Sequence, residues 1–242
     1  MINTLNETSL HKTIKDLYAI ENPNSKKEEK VGPYIADIVT AKKDIIEIQT
    51  GSVSSLFKKI NYFLNEGRKV KVVYPLAACK YIETCSVTKK EKRRRKSPVT
   101  KNIYSIFREL TGLHTLLLDK NFTLEVLLIT MTEEREETKE AVQSKNGRRR
   151  FKKNWLKSGK RLESIEEKII FNKREDYISL FPQDLGESFT INEMYQQLFA
   201  KKIKGLKKDS LRLMLWLYKK LDLVEECGKE GKSKVFKIKK AP

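Results

Sequence analysis

Three carboxylates and one amide stand where a hard-oxygen metal site would need them. Asp37 interrupts the apolar run Tyr34–Thr40, and Glu47 interrupts Asp44–Thr50. An ionised carboxylate inside an apolar strand is costly unless it is paired or bound to a metal. Gln49 follows Glu47 by two residues, so on a strand it projects to the same face, while Ile46 and Ile48 take the other. Glu7, at the start of the first helical segment, is a third acid that can converge with them. Such a set at a hairpin suits Mg²⁺, or Mn²⁺, which keeps waters and binds phosphate alongside. A metal there would polarise a scissile phosphate and supply hydroxide at neutral pH. The competing reading leaves the carboxylates on a solvated edge, or salt-bridged by Lys42, Lys43 or Lys71.

The elements that must position these residues are legible from periodicity. Residues 8–20 carry Leu10, Ile14, Leu17 and Tyr18 at helical spacing, with Thr8 or Ser9 as cap. The polar stretch 21–30 reads as a loop. The runs 34–40 and 44–50 read as a hairpin joined by Ala41-Lys42-Lys43. Residues 53–66 read as an amphipathic helix ended by Gly67, and Val70–Tyr74 as a strand buried on both faces. A helix between strands implies a parallel crossover in a mixed sheet. A helix at 101–111 follows, then strands at 122–132 and 162–171, joined through a polar segment with a basic tip. The last third reads as helices at 176–181, 191–200 and about 207–221, then strands at 223–227 and 233–239. Thr190 caps the second of these helices. Three helices and a β-hairpin is the winged helix-turn-helix order.

Charge points to a polyanionic partner. The 242 residues hold 51 Lys+Arg against 32 Asp+Glu, net +19, and residues 85–174 contribute +12 of that surplus (24 basic, 12 acidic). Nucleic acid is the natural match, because each neutralised phosphate releases condensed counterions; a membrane surface is the competitor. Two clusters are placed to clamp a backbone: the tract Lys89–Lys96, with Lys92, Arg93, Arg94 and Arg95, and the cluster Arg148, Arg149, Arg150 through Lys153. Phe151 and Trp155 stand beside the second for stacking. On the third C-terminal helix, Lys207, Lys208, Ser210 and Arg212 occupy the half that would enter a major groove, with Lys229, Lys232 and Lys234 on the wing. Trp216 reads mainly as packing. Three cysteines without metal or pairing spacing point to a reducing cytoplasm. Neither a signal peptide nor a bilayer-spanning apolar stretch is expected.

The succession of Glu7, Ile35–Val39, Asp44–Thr50, a helix and Val70–Pro75 resembles the PD-(D/E)xK, restriction-endonuclease-like nuclease superfamily. That resemblance implies Asp37 and Glu47 as metal ligands and Glu7 as the helix-borne acid. It implies an α/β fold: a restriction-endonuclease-like mixed-sheet core over 1–174, with basic insertions at about 86–100 and 138–160, then a winged-helix DNA-binding domain over 175–242. Ala36 replaces the family's usual Pro, and Gln49 stands where Lys is usual, as in the Glu-x-Gln variant. Gln carries no charge, so a metal or another cation must compensate; Lys15, two helical turns from Glu7, is one candidate. His11, one turn from Glu7, can also touch the site. The chain further resembles an uncharacterised prokaryotic family through Leu10-His11 with Lys15, Asp37–Val39, Glu47–Thr50, Val73–Pro75 and Glu125–Ile129.

The expected activity is Mg²⁺-dependent hydrolysis of phosphodiester bonds in double-stranded or branched DNA. The alternative is a non-catalytic DNA-binding protein with a degenerate nuclease core, acting as a regulator or as a subunit of a defence or transposition system. With one site per chain, double-strand cutting would call for a homodimer.

Overall fold

The structure is a computed structural model that describes residues 9–86, 91–144, 147 and 149–239. Glu7, Lys89 and Arg148 lie outside the described residues.

A mixed α/β sheet organises most of the chain. Helix α1 (Ser9–Glu21) leads into β1 (Lys26–Val31), β2 (Tyr34–Val39) and β3 (Ile45–Ile48). A 3-10 turn and helix α2 (Phe57–Asn65) cross over to β4 (Val70–Cys85). Gly67, at φ +72°, closes α2 in the left-handed conformation that a side chain would oppose. Strand β5 (Lys92–Lys96) follows, then a 3-10 turn (Ile103–Ile106) and the short helix α3 (Phe107–Leu110). The long strands β6 (Phe122–Val142) and β7 (Lys153–Phe171) complete the sheet. Its order is β1-β2-β3-β4-β6-β7, with β5 paired to the far half of β4. The β3–β4 and β4–β6 pairs are parallel and the others antiparallel.

The expected mixed sheet, hairpin and crossover are present, with local differences. Residues 26–31, expected as loop, form the edge strand β1. Its sequence KKEEKV looks polar because only Val31 is buried in it. The tract 92–96, within the basic insertion expected at about 86–100, is a strand; β4 runs on to Cys85 and offers it a free edge. The helix expected over 101–111 is broken into the 3-10 turn, α3 and a second 3-10 turn. Strands β6 and β7 extend well past the apolar stretches that announce them. At roughly 3.3 Å per residue, β6 spans about 70 Å, so its outer half stands beyond the core as a ribbon.

The sheet buries apolar side chains on both faces. On one, Leu10, Ile14 and Tyr18 of α1 pack on Ile38, Ile46, Ile48, Val73, Leu127 and Ile129. On the other, Ile60 and Phe63 of α2 join Ile45, Val70, Val72, Leu124 and Val126. Strand β3 is buried throughout because both faces are covered.

The C-terminal part comprises α4 (Arg174–Ile178), β8 (Ser188–Thr190), α5 (Ile191–Ala200), α6 (Lys208–Lys220), β9 (Val224–Glu230) and β10 (Ser233–Ile238). Its strands form a second sheet, ordered β8-β10-β9. Thr190 caps α5 as expected, and Glu193 returns the bond to the Thr190 backbone in a capping box. Expected as a separate domain, this part shares a continuous apolar core with the second face of the large sheet. Phe107, Phe171, Tyr177 and Tyr218 meet ring to ring across the junction. Gly205, at φ +73°, lies so close to the Thr100 carbonyl that a β-carbon would collide with it.

Candidate active site

The two carboxylates expected to act together do meet. Strands β2 and β3 pair Ile38 with Ile46 and Val39 with Ile45. Continuing that register sets Asp37 opposite Glu47. There the side chains take over from the backbone ladder: the Asp37 N–H donates to Glu47 Oε1 at 3.3 Å, and the Ile48 N–H donates to Asp37 Oδ2 at 2.8 Å. The site therefore sits where the β2–β3 hairpin ends and the last residues of β3 emerge beside β4. Ile46 and Ile48 pack toward α1, and Glu47 between them is met from α2, which agrees with the alternation expected of the strand.

Each carboxylate has its own cationic or polar neighbour. Lys59 of α2 puts its Nζ 2.6 Å from Glu47 Oε2, where Glu47 is only 2% exposed. His11 of α1 puts its Nε2 3.4 Å from Asp37 Oδ2. Burial and the charge of Asp37 push the Glu47 carboxyl up to about 7, and Lys59 only partly opposes them. Burial also acts to raise Asp37, but His11 and the Ile48 N–H outweigh it and hold the carboxyl below its usual value. One carboxylate is thus firmly ionised, and its neighbour shares the strain of a second negative charge in a dry place.

The other expected residues are placed differently. Gln49 directs its amide away from the pair, donating to the Ser52 carbonyl at 2.6 Å and to Ser55 Oγ at 2.9 Å, so it braces the turn before α2. Lys15 is buried with its ammonium 2.8 Å from Glu28 Oε1 on β1, rather than at Asp37 or Glu47. Lys71 pairs with Glu125, not with the site. The cation that reaches Glu47 is Lys59, which the sequence reading passed over. The signal that could have found it is its place in the first turn of α2, the first α-helix after β3.

Among the described residues, no group of three His, Cys, Asp or Glu side chains is close enough to hold a metal ion. Asp37 and Glu47 are a two-carboxylate set, which fits Mg²⁺ when water and phosphate complete its shell. Their mutual repulsion also fits, because a divalent cation between them would offset the Asp37 charge that, after burial, raises Glu47.

The expected DNA contacts divide in two. On β5, Arg93 and Arg95 are exposed, while Lys92 pairs with Glu83 at 3.2 Å and Arg94 with Glu163 at 3.7 Å. Arg94 also lies over the Tyr81 ring. At the ribbon tip, Trp155, expected to be available for stacking, carries the guanidinium groups of Arg135 and Arg149 at 3.6 and 4.0 Å from its ring. Phe151 remains exposed next to Arg150. Lys207 precedes α6 and is exposed. Lys208 bonds Asn192, Arg212 pairs with Asp209, Ser210 is half-buried, and Lys232 stands on the β9–β10 turn. Trp216, read as packing, is 42% exposed, with the His114 ring beside it.

Residues 8–172 match the family described as Domain of unknown function (DUF8091), and the chain belongs to that family. The match runs to the end of β7. An uncharacterized protein of Treponema pallidum (strain Nichols) is 32% identical over 195 residues, covering 81% of this chain and 74% of that protein. No solved structure matches the chain.

Proposed function

We propose that the protein is a Mg²⁺-dependent phosphodiesterase acting on DNA, with a nuclease core of the PD-(D/E)xK type and a C-terminal winged helix. The observation that carries the proposal is the Asp37–Glu47 pair, set opposite each other at the end of a buried hairpin with Lys59 on Glu47. A bound Mg²⁺ would supply Lewis acidity and a hydroxide at neutral pH. Asp37, kept ionised, would be its firm ligand and Glu47 the second. Lys59 supplies the positive charge that Gln49 lacks, and can stabilise charge that develops on a phosphate beside Glu47. Gln49 acts as a positioning residue: its bonds to Ser52 and Ser55 set the turn from which α2, and therefore Lys59, departs.

The C-terminal part supports DNA as the substrate. Its succession of helix, strand, two helices and two strands, with sheet order β8-β10-β9, supports the reading of a winged helix. Exposed Arg93 and Arg95 on β5, and Arg150 and Lys152 at the tip of the β6–β7 ribbon, add positive charge. A second reading, a DNA-binding protein without catalysis, is favoured by the engagement of the Gln49 amide in its own turn.

Supercoiled plasmid with Mg²⁺ or Mn²⁺ separates the two. The wild type is expected to give nicked or linear product, and the Asp37→Ala/Glu47→Ala variant none. Equal trace cleavage by both overturns the enzymatic reading, and retained DNA binding then supports the second.

A further inference from the structure

A second charged cluster gathers around Glu133, separate from the Asp37–Glu47 pair. Glu133 of β6 is buried, and three cations share it: Arg135 at 2.5 Å, Lys157 at 3.2 Å and Lys80 at 3.3 Å. Burial acts to raise the Glu133 carboxyl, but Arg135, Lys157 and Lys80 outweigh it and hold it down to about 2. One carboxylate cannot neutralise three cations, and two more lysines stand against it. Lys160 of β7 donates to the Thr50 carbonyl at 3.2 Å, and Lys101 lines the same space. Among the described residues, neither Lys101 nor Lys160 is ion-paired with a carboxylate. Burial, then the charge of Lys157, with Lys101 and Lys80 adding to it, pulls the Lys160 ammonium down to about 8. Glu133 acts in the opposite direction but does not make up for burial and the neighbouring cations.

Glu133, Lys80, Lys101, Lys157 and Lys160 line a pocket of about 200 Å³. Four lysines against Glu133 leave it a surplus of three positive charges. Tyr74 and Pro75 form part of its wall, and Thr50, three residues beyond Glu47, borders it. At roughly 30 Å³ per water, the space takes one phosphoryl group with a few waters.

We propose that this pocket is a phosphate-binding subsite, in which Lys101 and Lys160 grip a phosphoryl dianion while Glu133 holds Lys80 and Lys157 in place to complete the shell. Glu133 organises the cations without satisfying them, so the remaining charge is preformed for an anion. Assigning that anion to DNA rests on the nuclease reading; the affinity of the pocket for phosphate does not.

The test combines Lys101→Gln with Lys160→Gln, which breaks no carboxylate ion pair, and circular dichroism and thermal unfolding verify the fold. Wild type is titrated calorimetrically with inorganic phosphate at constant ionic strength and is expected to bind one equivalent saturably. The double variant is expected to bind about tenfold more weakly. Equal binding by the two proteins, or no saturable binding by the wild type, overturns the subsite. The Asp37→Ala/Glu47→Ala variant is expected to bind phosphate as the wild type does. A protein inactive on plasmid that still binds phosphate through Lys101 and Lys160 therefore loses the nuclease reading and keeps the subsite. Competition with thymidine dinucleotides identifies the source. Displacement only by the 5′-phosphorylated form assigns the pocket to a strand end, and displacement by both forms assigns it to an internal backbone phosphate. Displacement by neither overturns its use by DNA and assigns it to free phosphate.

Discussion

Lys59 and Glu47 come from different elements and meet at 2.6 Å across the face of the sheet, in a place where Glu47 is almost wholly shielded from water. A pair at this depth is not a source of much net stability, because desolvation of both charges offsets their attraction. Its value lies in position: a cation is fixed beside the carboxylate that the fold most reluctantly ionises.

That placement makes Lys59→Met a sharp test of the catalytic proposal. Removing a preorganised charge next to a reacting phosphate costs on the order of 10²-fold in turnover. The expected outcome is a loss of this size in the single-turnover rate of plasmid nicking, with DNA affinity nearly unchanged, since the β5 and α6 charges are intact. Lys59→Arg is expected to recover part of the rate. A Lys59→Met protein that nicks at the wild-type rate would remove Lys59 from the chemistry.

Glu47 should also write itself into the pH dependence of stability. Its folded carboxyl, at about 7, lies above its ordinary value of 4.5. Between those two values the unfolded chain has released a proton that the folded chain retains. Stability contributed by this group is therefore present at low pH and is lost as pH rises through 7. Glu47→Gln abolishes that loss. The difference in Tm between Glu47→Gln and wild type, measured without divalent cations, is expected to shift in favour of the variant from pH 5 to pH 8. The corresponding change is about 1–3 kcal/mol. Mg²⁺ should raise the Tm of the wild type at pH 8 and leave Glu47→Gln nearly unmoved. A pH-independent Tm difference would contradict the burial of a strained carboxylate.

Asp37 and Glu47 were legible in the sequence because a charge inside an apolar strand stands out, and strand alternation fixes which way it points. The mixed sheet and the β2–β3 hairpin followed from the same alternation. Lys59 was not legible, because it is one of several lysines on an amphipathic helix and only the crossover geometry selects it. Gln49 looked like a member of the site by strand parity, yet side-chain length let its amide fold back to Ser52 and Ser55. Strand β5 was hidden for a related reason: a run of arginines has no periodicity of its own, and only the free edge of β4 makes it extended. The junction of the two parts was hidden in plain aromatic residues, whose partners lie far away in the chain.

The β5 edge yields a prediction about salt. Arg93 and Arg95 are exposed, while Lys92 and Arg94 are engaged with carboxylates. Deleting the tract would strip a strand from the sheet, so charge removal is the cleaner change. Arg93→Ser with Arg95→Ser is expected to reduce the slope of log K against log salt for duplex DNA by about 2, since each phosphate contact contributes about 0.9. Lys92→Ser with Arg94→Ser should change it less. Identical slopes for wild type and Arg93→Ser/Arg95→Ser would clear this edge of phosphate contacts.

The last relationship concerns how the two parts fold. Tyr218 of α6 is fully buried; its hydroxyl donates to the Tyr177 carbonyl at 2.5 Å, and its ring meets Phe107 and Phe181 edge-on. Phe107 and Phe171 belong to the large-sheet part, so cutting the chain at 174 would expose them to water. Such a fragment is expected to bind hydrophobic dye and to lack a cooperative thermal transition. In the full chain, Tyr218→Ala should cost about 3–5 kcal/mol through the cavity it leaves. Tyr218→Phe should cost about 1 kcal/mol through the hydrogen bond it loses, since the Leu180 N–H still reaches the Tyr177 carbonyl. In both variants the large sheet and the C-terminal part should melt together, because the core that Tyr218 fills belongs to both. Calorimetry that resolves two transitions, one of them reproduced by the isolated residues 1–174, would instead show two independent domains. The aromatic junction would then be a docking contact rather than a shared core.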